Sequence, residues 1–186
     1  MKLHIAAWLL ASAGIAPGLD LTPETSFKEL EGTKILTTFF KDGARTVIWD
    51  QPWPVSGGGT KIALYPPDVS GSAMFIEIRK PQADAIPQPG ATQTELEKWA
   101  VQFLPQDITK LVCVRSVPCP YQLHTKPSQE FIFDYVSQVR CMSSSISYVD
   151  LNENERVIVH ITAPTEAFKP IRATALKSMF RWKWSN

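Results

Sequence analysis

The sequence predicts an α+β domain in which an antiparallel β-sheet is combined with two main helices. Short runs rich in β-branched and aromatic residues alternate with turns of Gly, Pro and Asp along most of the chain. Residues 92–104 and 164–177 instead place apolar residues at helical spacing. The short turns between neighbouring runs are typical of antiparallel hairpins.

Composition places the chain among ordinary globular proteins. Its 186 residues are 44% hydrophobic and 20% charged, which excludes the disordered, collagen and coiled-coil classes. A formal net charge of +1 gives no electrostatic reason to expect nucleic acid as a partner. No apolar run approaches the roughly 20 residues that would span a bilayer. We therefore expect one folded domain, monomeric, with a single core.

The first residues have the three-part layout of a secretory signal peptide. Lys2 supplies an early positive charge, residues 5–11 are apolar, and Ala11-Ser12-Ala13 matches a small-x-small cleavage site. We predict cleavage after Ala13 and export to the periplasm or the exterior, with no transmembrane segment left. The domain organisation that follows is a signal peptide at 1–13, a polar lead-in segment at 14–33 and a single α+β domain at 34–186.

The first half of the domain is predicted to be a meander of antiparallel strands. Asp42-Gly43 is a typical hairpin turn, and the glycines of residues 56–59 mark another turn. The predicted strands are 34–40, 45–49, 61–65 and 73–80.

A helix is predicted next, over residues 92–104. Thr92 and Glu95 stand at capping-box spacing, and Pro105 ends the segment. The apolar stripe consists of Leu96, Trp99, Ala100, Phe103 and Leu104.

The second half is predicted to contain four strands, a helix and a closing strand. The second and third of the strands would form a hairpin that turns near residues 138–141. Pro170 either begins the second helix or bends it. Residues 178–184 alternate large apolar residues with Arg181 and Lys183, which predicts a strand with one buried face. The four strands are 110–117, 130–137, 144–151 and 155–162.

No motif predicts catalytic, cofactor-binding or metal-binding residues. The glycine-rich residues 56–61 lack the spacing of a phosphate-binding loop. Cys113 and Cys119 would lie about 20 Å apart in an extended strand, whereas a disulfide needs their Cα atoms within roughly 7 Å. Cys141 lies near the predicted hairpin turn, so we predict no disulfide and no cofactor.

His160 is the one residue for which a catalytic role can be formulated. It shares a strand face with Ile158 and Thr162, and could act as the base of a small hydrolase together with Asp134 or Asp150 and a serine. No nucleophile motif accompanies it. We therefore expect a histidine of the sheet face with a hydrogen-bond partner.

The tryptophans suggest a different kind of site. Trp53 lies between Pro52 and Pro54 and is the best candidate for an exposed aromatic residue. Exposed tryptophans would suit a module that binds carbohydrate or peptide. Together with the basic face of the closing strand, the candidate binding surface is Trp53, Arg181 and Lys183.

Short segments of the chain resemble the PsbP/Mog-type fold superfamily and exported bacterial proteins of unknown function with that architecture. In the back half they are Thr162-Ala-Pro-Thr-Glu-Ala-Phe168, running into a helix, and the closing Ser178-Met-Phe-Arg-Trp182. In the front half they are residues 48–53 and 64–68. The resemblance implies an α/β/α sandwich around an antiparallel sheet and carries no activity.

The sequence thus favours an exported, non-catalytic domain that binds or stabilises a protein partner in the cell envelope. The small hydrolase and the carbohydrate- or peptide-binding module are the alternatives.

Overall fold

The first three strands form a sheet of their own, and the other seven strands form a larger sheet. The computed structural model describes residues 20–30, 33–42, 45–81, 92–100, 102–118 and 129–179. The small sheet has the order β1-β2-β3, and the large sheet has the order β4-β5-β6-β10-β9-β8-β7. The strands are β1 (Pro23–Leu30), β2 (Thr33–Asp42), β3 (Arg45–Trp49), β4 (Val55–Gly58), β5 (Lys61–Leu64), β6 (Ala73–Arg79), β7 (Ile108–Pro118), β8 (Gln129–Ser137), β9 (Arg140–Asp150) and β10 (Arg156–Pro164). The helices are α1 (Gln93–Ala100) and α2 (Thr165–Met179).

The large sheet is antiparallel throughout, and β10 lies at its centre between β6 and β9. Side chains therefore alternate between two faces along each strand. Val157, Val159 and Ile161 of β10 belong to the core cluster that includes α2. Ile158, His160 and Thr162 point to the opposite face.

One face of the sheet is covered by α2. The helix contributes Ile171, Ala175 and Leu176 to the main core, which also includes Trp49 at the end of β3. Polar contacts fix the helix as well. The guanidinium of Arg172 makes a bidentate ion pair with the carboxylate of Glu130 on β8.

The opposite face carries α1 and the segment that follows it. Trp99 packs on Phe131 with ring centroids 4.7 Å apart, and Phe103 packs on Trp99 at 4.9 Å. The predicted capping box is confirmed, because the Thr92 backbone N–H donates to Glu95 Oε2 at 2.7 Å and the Glu95 N–H donates to Thr92 Oγ1 at 3.3 Å. The helix ends at Ala100, earlier than predicted. Residues 102–107 continue as turns that still lie over the sheet.

The predicted α/β/α sandwich with two main helices is wrong. The seven-stranded antiparallel sheet carries one long helix, the 15-residue α2, on one face. The helix on the other face, α1, has only eight residues, and Pro105 prevents a helix from running past this segment because it disfavours helical geometry in the residue before it. Part of that face is left open.

Several boundaries also differ from the sequence prediction. β1 falls inside the predicted lead-in segment and pairs with β2. Residues 56–58 of the turn predicted at 56–59 belong instead to β4, which pairs with β5. The helix α2 begins at Thr165, so Pro170 lies inside it, and Ser178 and Met179 are helical rather than part of a closing strand. Residues 180–184 of that predicted strand lie outside the described residues, as does the predicted signal peptide.

Within the part of the chain that the structure describes, no helix is both long and apolar enough to cross a membrane.

Candidate ligand-binding cleft

A cleft of about 740 Å³ opens on the face of the large sheet that α2 does not cover. Its floor is formed by β5, β6, β10, β9 and β8, and residues 102–107 form one wall. The cleft exists because α1 is short, so the helix and its following turns cover only part of the sheet. A cavity of this volume is within the range that holds a small organic ligand.

His160 lies in the floor of the cleft, with 8% of its surface exposed. Its ring is next to Phe75, with centroids 5.6 Å apart, and near Phe103 at 6.5 Å. The Nε2 atom is 3.1 Å from Ser144 Oγ. The Nδ1 atom has no hydrogen-bond partner among the described residues, and it is not among their fully buried unpartnered atoms, so it reaches the cleft.

A chain of hydroxyl groups continues from His160 beneath the cleft. Ser144 Oγ is 3.2 Å from the hydroxyl of Tyr135, which is 2.9 Å from Thr162 Oγ1. All four residues lie on the same face of the sheet because they occupy alternating positions on three adjacent strands. The cleft floor therefore includes a connected polar network within an otherwise aromatic and aliphatic surface.

Burial keeps His160 neutral. Loss of hydration, together with a smaller effect of the positive charge of Lys61, lowers the pKa of the imidazole to about 4. At neutral pH one ring nitrogen therefore donates a hydrogen bond and the other accepts one.

Charged residues stand at both ends of the cleft. At one end Arg79 binds the Glu77 carboxylate through two contacts of 2.8 Å and 3.1 Å, and Lys61 approaches the same carboxylate at 3.6 Å. Burial opposes ionisation of Glu77, but these cations outweigh it and hold its pKa below the ordinary value. One carboxylate is therefore shared by two cations at this end, which leaves one positive charge in excess.

The other end of the cleft contains Arg140, the first residue of β9. Its Nη1 donates to the backbone carbonyl of Ser70 at 3.3 Å, and it makes no ion pair with a described carboxylate. In the strand register His160 is opposite Ile146, six residues along β9 from Arg140. At about 3.4 Å per residue, the backbone at Arg140 is therefore about 20 Å from the level of His160 in the cleft floor.

The acids proposed for a His160 triad are engaged elsewhere. Asp134 accepts a hydrogen bond of 2.6 Å from Ser143, and both residues lie on the face that α2 covers. Asp150 pairs with Arg156 at 2.6 Å, four residues from His160 along β10. Ser144, which does contact His160, has no exposed surface. The structure thus brings a serine to the histidine without an acid partner and without access to a substrate.

The expectation that Trp53 is exposed is wrong. It is 7% exposed and packs against Trp49, with ring centroids 5.1 Å apart, in the main core. Arg181 and Lys183, the other members of the predicted binding surface, lie outside the described residues.

The sequence predicts that the cysteines form no disulfide, and Cys141 agrees with this prediction. Cys141 is an exposed free thiol close to the β8–β9 turn. Cys113 lies in β7 as predicted, and Cys119 is outside the described residues. Among the described residues no three His, Cys, Asp or Glu side chains come together as metal ligands.

Sequence reasoning singled out His160 but missed the residues around it. Phe75, Tyr135 and Arg140 belong to no sequence motif. Only the strand register brings them to the same cleft as His160. A signal was present in the alternation of Phe131, Phe133 and Tyr135, which marks one buried face of β8.

No protein-family model matches the chain, and no functionally characterised protein is detectably similar to it in sequence. Among solved structures it is similar to that of a candidate regulator of unknown function from Pseudomonas aeruginosa. The two chains are 12% identical, the match covers 87% of this chain and 98% of the other, and the TM-score is 0.45. A likeness this distant carries no argument about function.

Proposed function

We propose that the protein is an exported, non-catalytic binding protein whose cleft takes a small ligand. The observation that carries the proposal is the cleft itself, which opens beside α1 and combines aromatic and aliphatic side chains with a polar network in its floor and charged residues at its ends. Binding sites for small molecules commonly have this composition, since apolar area supplies affinity and a few polar groups fix orientation.

The arrangement of Ser144 and His160 favours binding over catalysis. A serine nucleophile must reach the carbonyl carbon of its substrate, whereas Ser144 is fully buried beneath Tyr135 and His160. A triad also needs a carboxylate on the second imidazole nitrogen, and both candidate acids are engaged elsewhere. The exported location rests on residues 1–13, and an envelope partner would act together with the bound ligand.

The cleft can be tested with a matched pair of substitutions at Thr162, using anilinonaphthalene sulfonate as the fluorescent probe. Thr162→Trp places a large ring in the cleft, whereas Thr162→Val preserves the volume of the native side chain. Both remove the hydroxyl contact with Tyr135. We expect saturable binding of one dye per native chain, weakened about tenfold or more by T162W and little changed by T162V. Unchanged binding by a folded T162W variant would refute the proposal.

Export is tested separately by amino-terminal sequencing of the protein from its own host. We expect the mature chain to begin after Ala13. A chain that still begins at Met1 would contradict the exported location and leave the cleft proposal to the dye experiment.

A further inference from the structure

We propose that the ligand of the cleft is an elongated organic acid, with its acidic group on Arg140 and a hydrogen-bond acceptor at His160 Nδ1. This inference rests on the proposed function and names the class of molecule that the cleft would take. Three features of the site lead to it. They are Arg140 at one end of the cleft, His160 in its floor, and the apolar residues of its lining.

Arg140 is the lining cation that makes no ion pair with a described carboxylate. Lys61 and Arg79 share the carboxylate of Glu77 at the opposite end. Asp107 also lines the cleft, and its two oxygens accept from Ser137 Oγ, each at 3.1 Å. A guanidinium has five N–H donors in a planar fork, and the hydrogen bond of Arg140 to the Ser70 carbonyl uses one of them. A ligand carboxylate matches the remaining donors with bidentate geometry.

His160 provides a second, independent polar contact. It is more than nine-tenths buried and lines the cleft, and its Nδ1 keeps some accessible surface and has no partner among the described residues. If Nδ1 carries the hydrogen, Nε2 must accept from Ser144. Ser144 can then accept from Tyr135 and Tyr135 from Thr162, so that each hydroxyl donates once. An acceptor on the ligand, such as an amide or ester carbonyl, completes this chain.

The apolar residues of the cleft indicate that the middle part of the ligand is apolar. Phe75, Phe103 and Met142 line the cleft between its charged ends. Because the backbone positions of Arg140 and of Ile146, the residue opposite His160, are about 20 Å apart along β9, one compact anion cannot contact both side chains. The ligand that satisfies both contacts is long, apolar along most of its length, and acidic at one terminus.

Dansylaminoundecanoic acid and its methyl ester test this inference, because they differ only in the charge at one end of a long apolar chain. We expect the native protein to bind the acid about tenfold more tightly than the ester. Arg140→Met should remove that preference, because the acid then binds no more tightly than the ester. Lys177→Met removes an exposed charge from α2, on the other side of the sheet, and should preserve the preference.

The outcomes separate this inference from the function on which it rests. Equal affinity for acid and ester in the native protein, or a preference that survives in R140M, would overturn the acidic ligand. If T162W still blocked both dyes in that case, the cleft would remain a binding site for a ligand of different chemistry. If T162W blocked neither dye, the dyes would bind elsewhere and the proposed function would fail.

Discussion

The imidazole Nε2 of His160 lies 3.1 Å from the hydroxyl of Ser144, across the central strand pair of the large sheet. In many hydrolases such a contact joins the nucleophile to its base. Here the serine is buried beneath the cleft, and the histidine faces the cleft. Catalysis would instead require the serine to be the residue that a substrate reaches. The pair serves instead to hold the imidazole in a defined orientation, with one nitrogen directed to the ligand site.

The stability of the protein should fall as the pH is lowered through the range in which a free histidine becomes charged. The pKa of His160 is about 4 in the folded protein and about 6.5 in the unfolded chain. Between these values the unfolded chain binds a proton that the native protein does not, so unfolding becomes more favourable as pH decreases. We expect a contribution of about 2 kcal/mol between about pH 7 and pH 5, measured by urea unfolding.

His160→Leu provides the control, because it removes this titration and leaves the other ionisable groups unchanged. The free energy of unfolding of H160L should depend less steeply on pH over the same range. Identical slopes for the two proteins would show that His160 is not held neutral.

Ser144→Ala separates a structural serine from a nucleophile. The substitution leaves His160 Nε2 without its described partner in a buried position and removes one contact of Tyr135. We expect a loss of about 1–3 kcal/mol in the free energy of unfolding. Hydrolysis of p-nitrophenyl acetate, followed by absorbance, should be the same for the variant and the native protein. A folded S144A that lost a measurable esterase activity would restore the hydrolase interpretation.

Most strands could be predicted from the sequence because their residues alternate and their turns are marked. The run Arg156–Thr162 is an example, since Val157, Val159 and Ile161 predict one buried face, and that face packs toward α2. β1 and β4 were missed for a physical reason. Their polar and glycine-rich residues have little strand preference, and they are strands because a neighbour supplies hydrogen-bond partners.

The site was less predictable than the fold. The alternation in β10 assigned His160 to the correct face, but its partners depend on the pairing of β9 with β10, which the sequence does not specify. Arg140 follows a turn and belongs to no motif, so only the register brings it to the same cleft. Trp53 was placed wrongly because proline on both sides is typical of an exposed turn, whereas here the chain packs its indole against Trp49.

Replacing Arg172, which holds α2 to the sheet, should strongly lower the free energy of unfolding. Glu130 is 1% exposed, and its carboxylate accepts from Arg172 Nε at 2.7 Å and from Nη2. Arg172→Met leaves a buried carboxylate without its ion-pair partner, which costs about 3 kcal/mol in comparable sites. The free energy of unfolding in urea measures the loss.

The double variant E130Q/R172M should recover part of that loss, because the buried charge is then absent. Arg140→Met is the matched control, since Arg140 is exposed and makes no ion pair with a described carboxylate; we expect a change of less than about 0.5 kcal/mol. If R172M were no more destabilising than R140M, the pair would not hold the helix to the sheet.

The turn between β8 and β9 should become more stable when Val139 is replaced by glycine. Gln138 and Val139 form a two-residue hairpin loop, between the paired residues Ser137 and Arg140, with φ values of 48° and 61°. The left-handed conformation costs an L-residue roughly 1–2 kcal/mol and is least favourable for a β-branched side chain. Val139 is fully exposed, so its removal loses no packing. After allowing for the greater freedom of glycine in the unfolded chain, we expect V139G to raise the free energy of unfolding by about 1 kcal/mol.

Val139→Ala is the control, because it keeps a side chain in the same conformation; its gain in the free energy of unfolding should be clearly smaller. Urea unfolding of the three proteins makes the comparison, and a V139G variant no more stable than V139A would mean that the native turn stores no such strain.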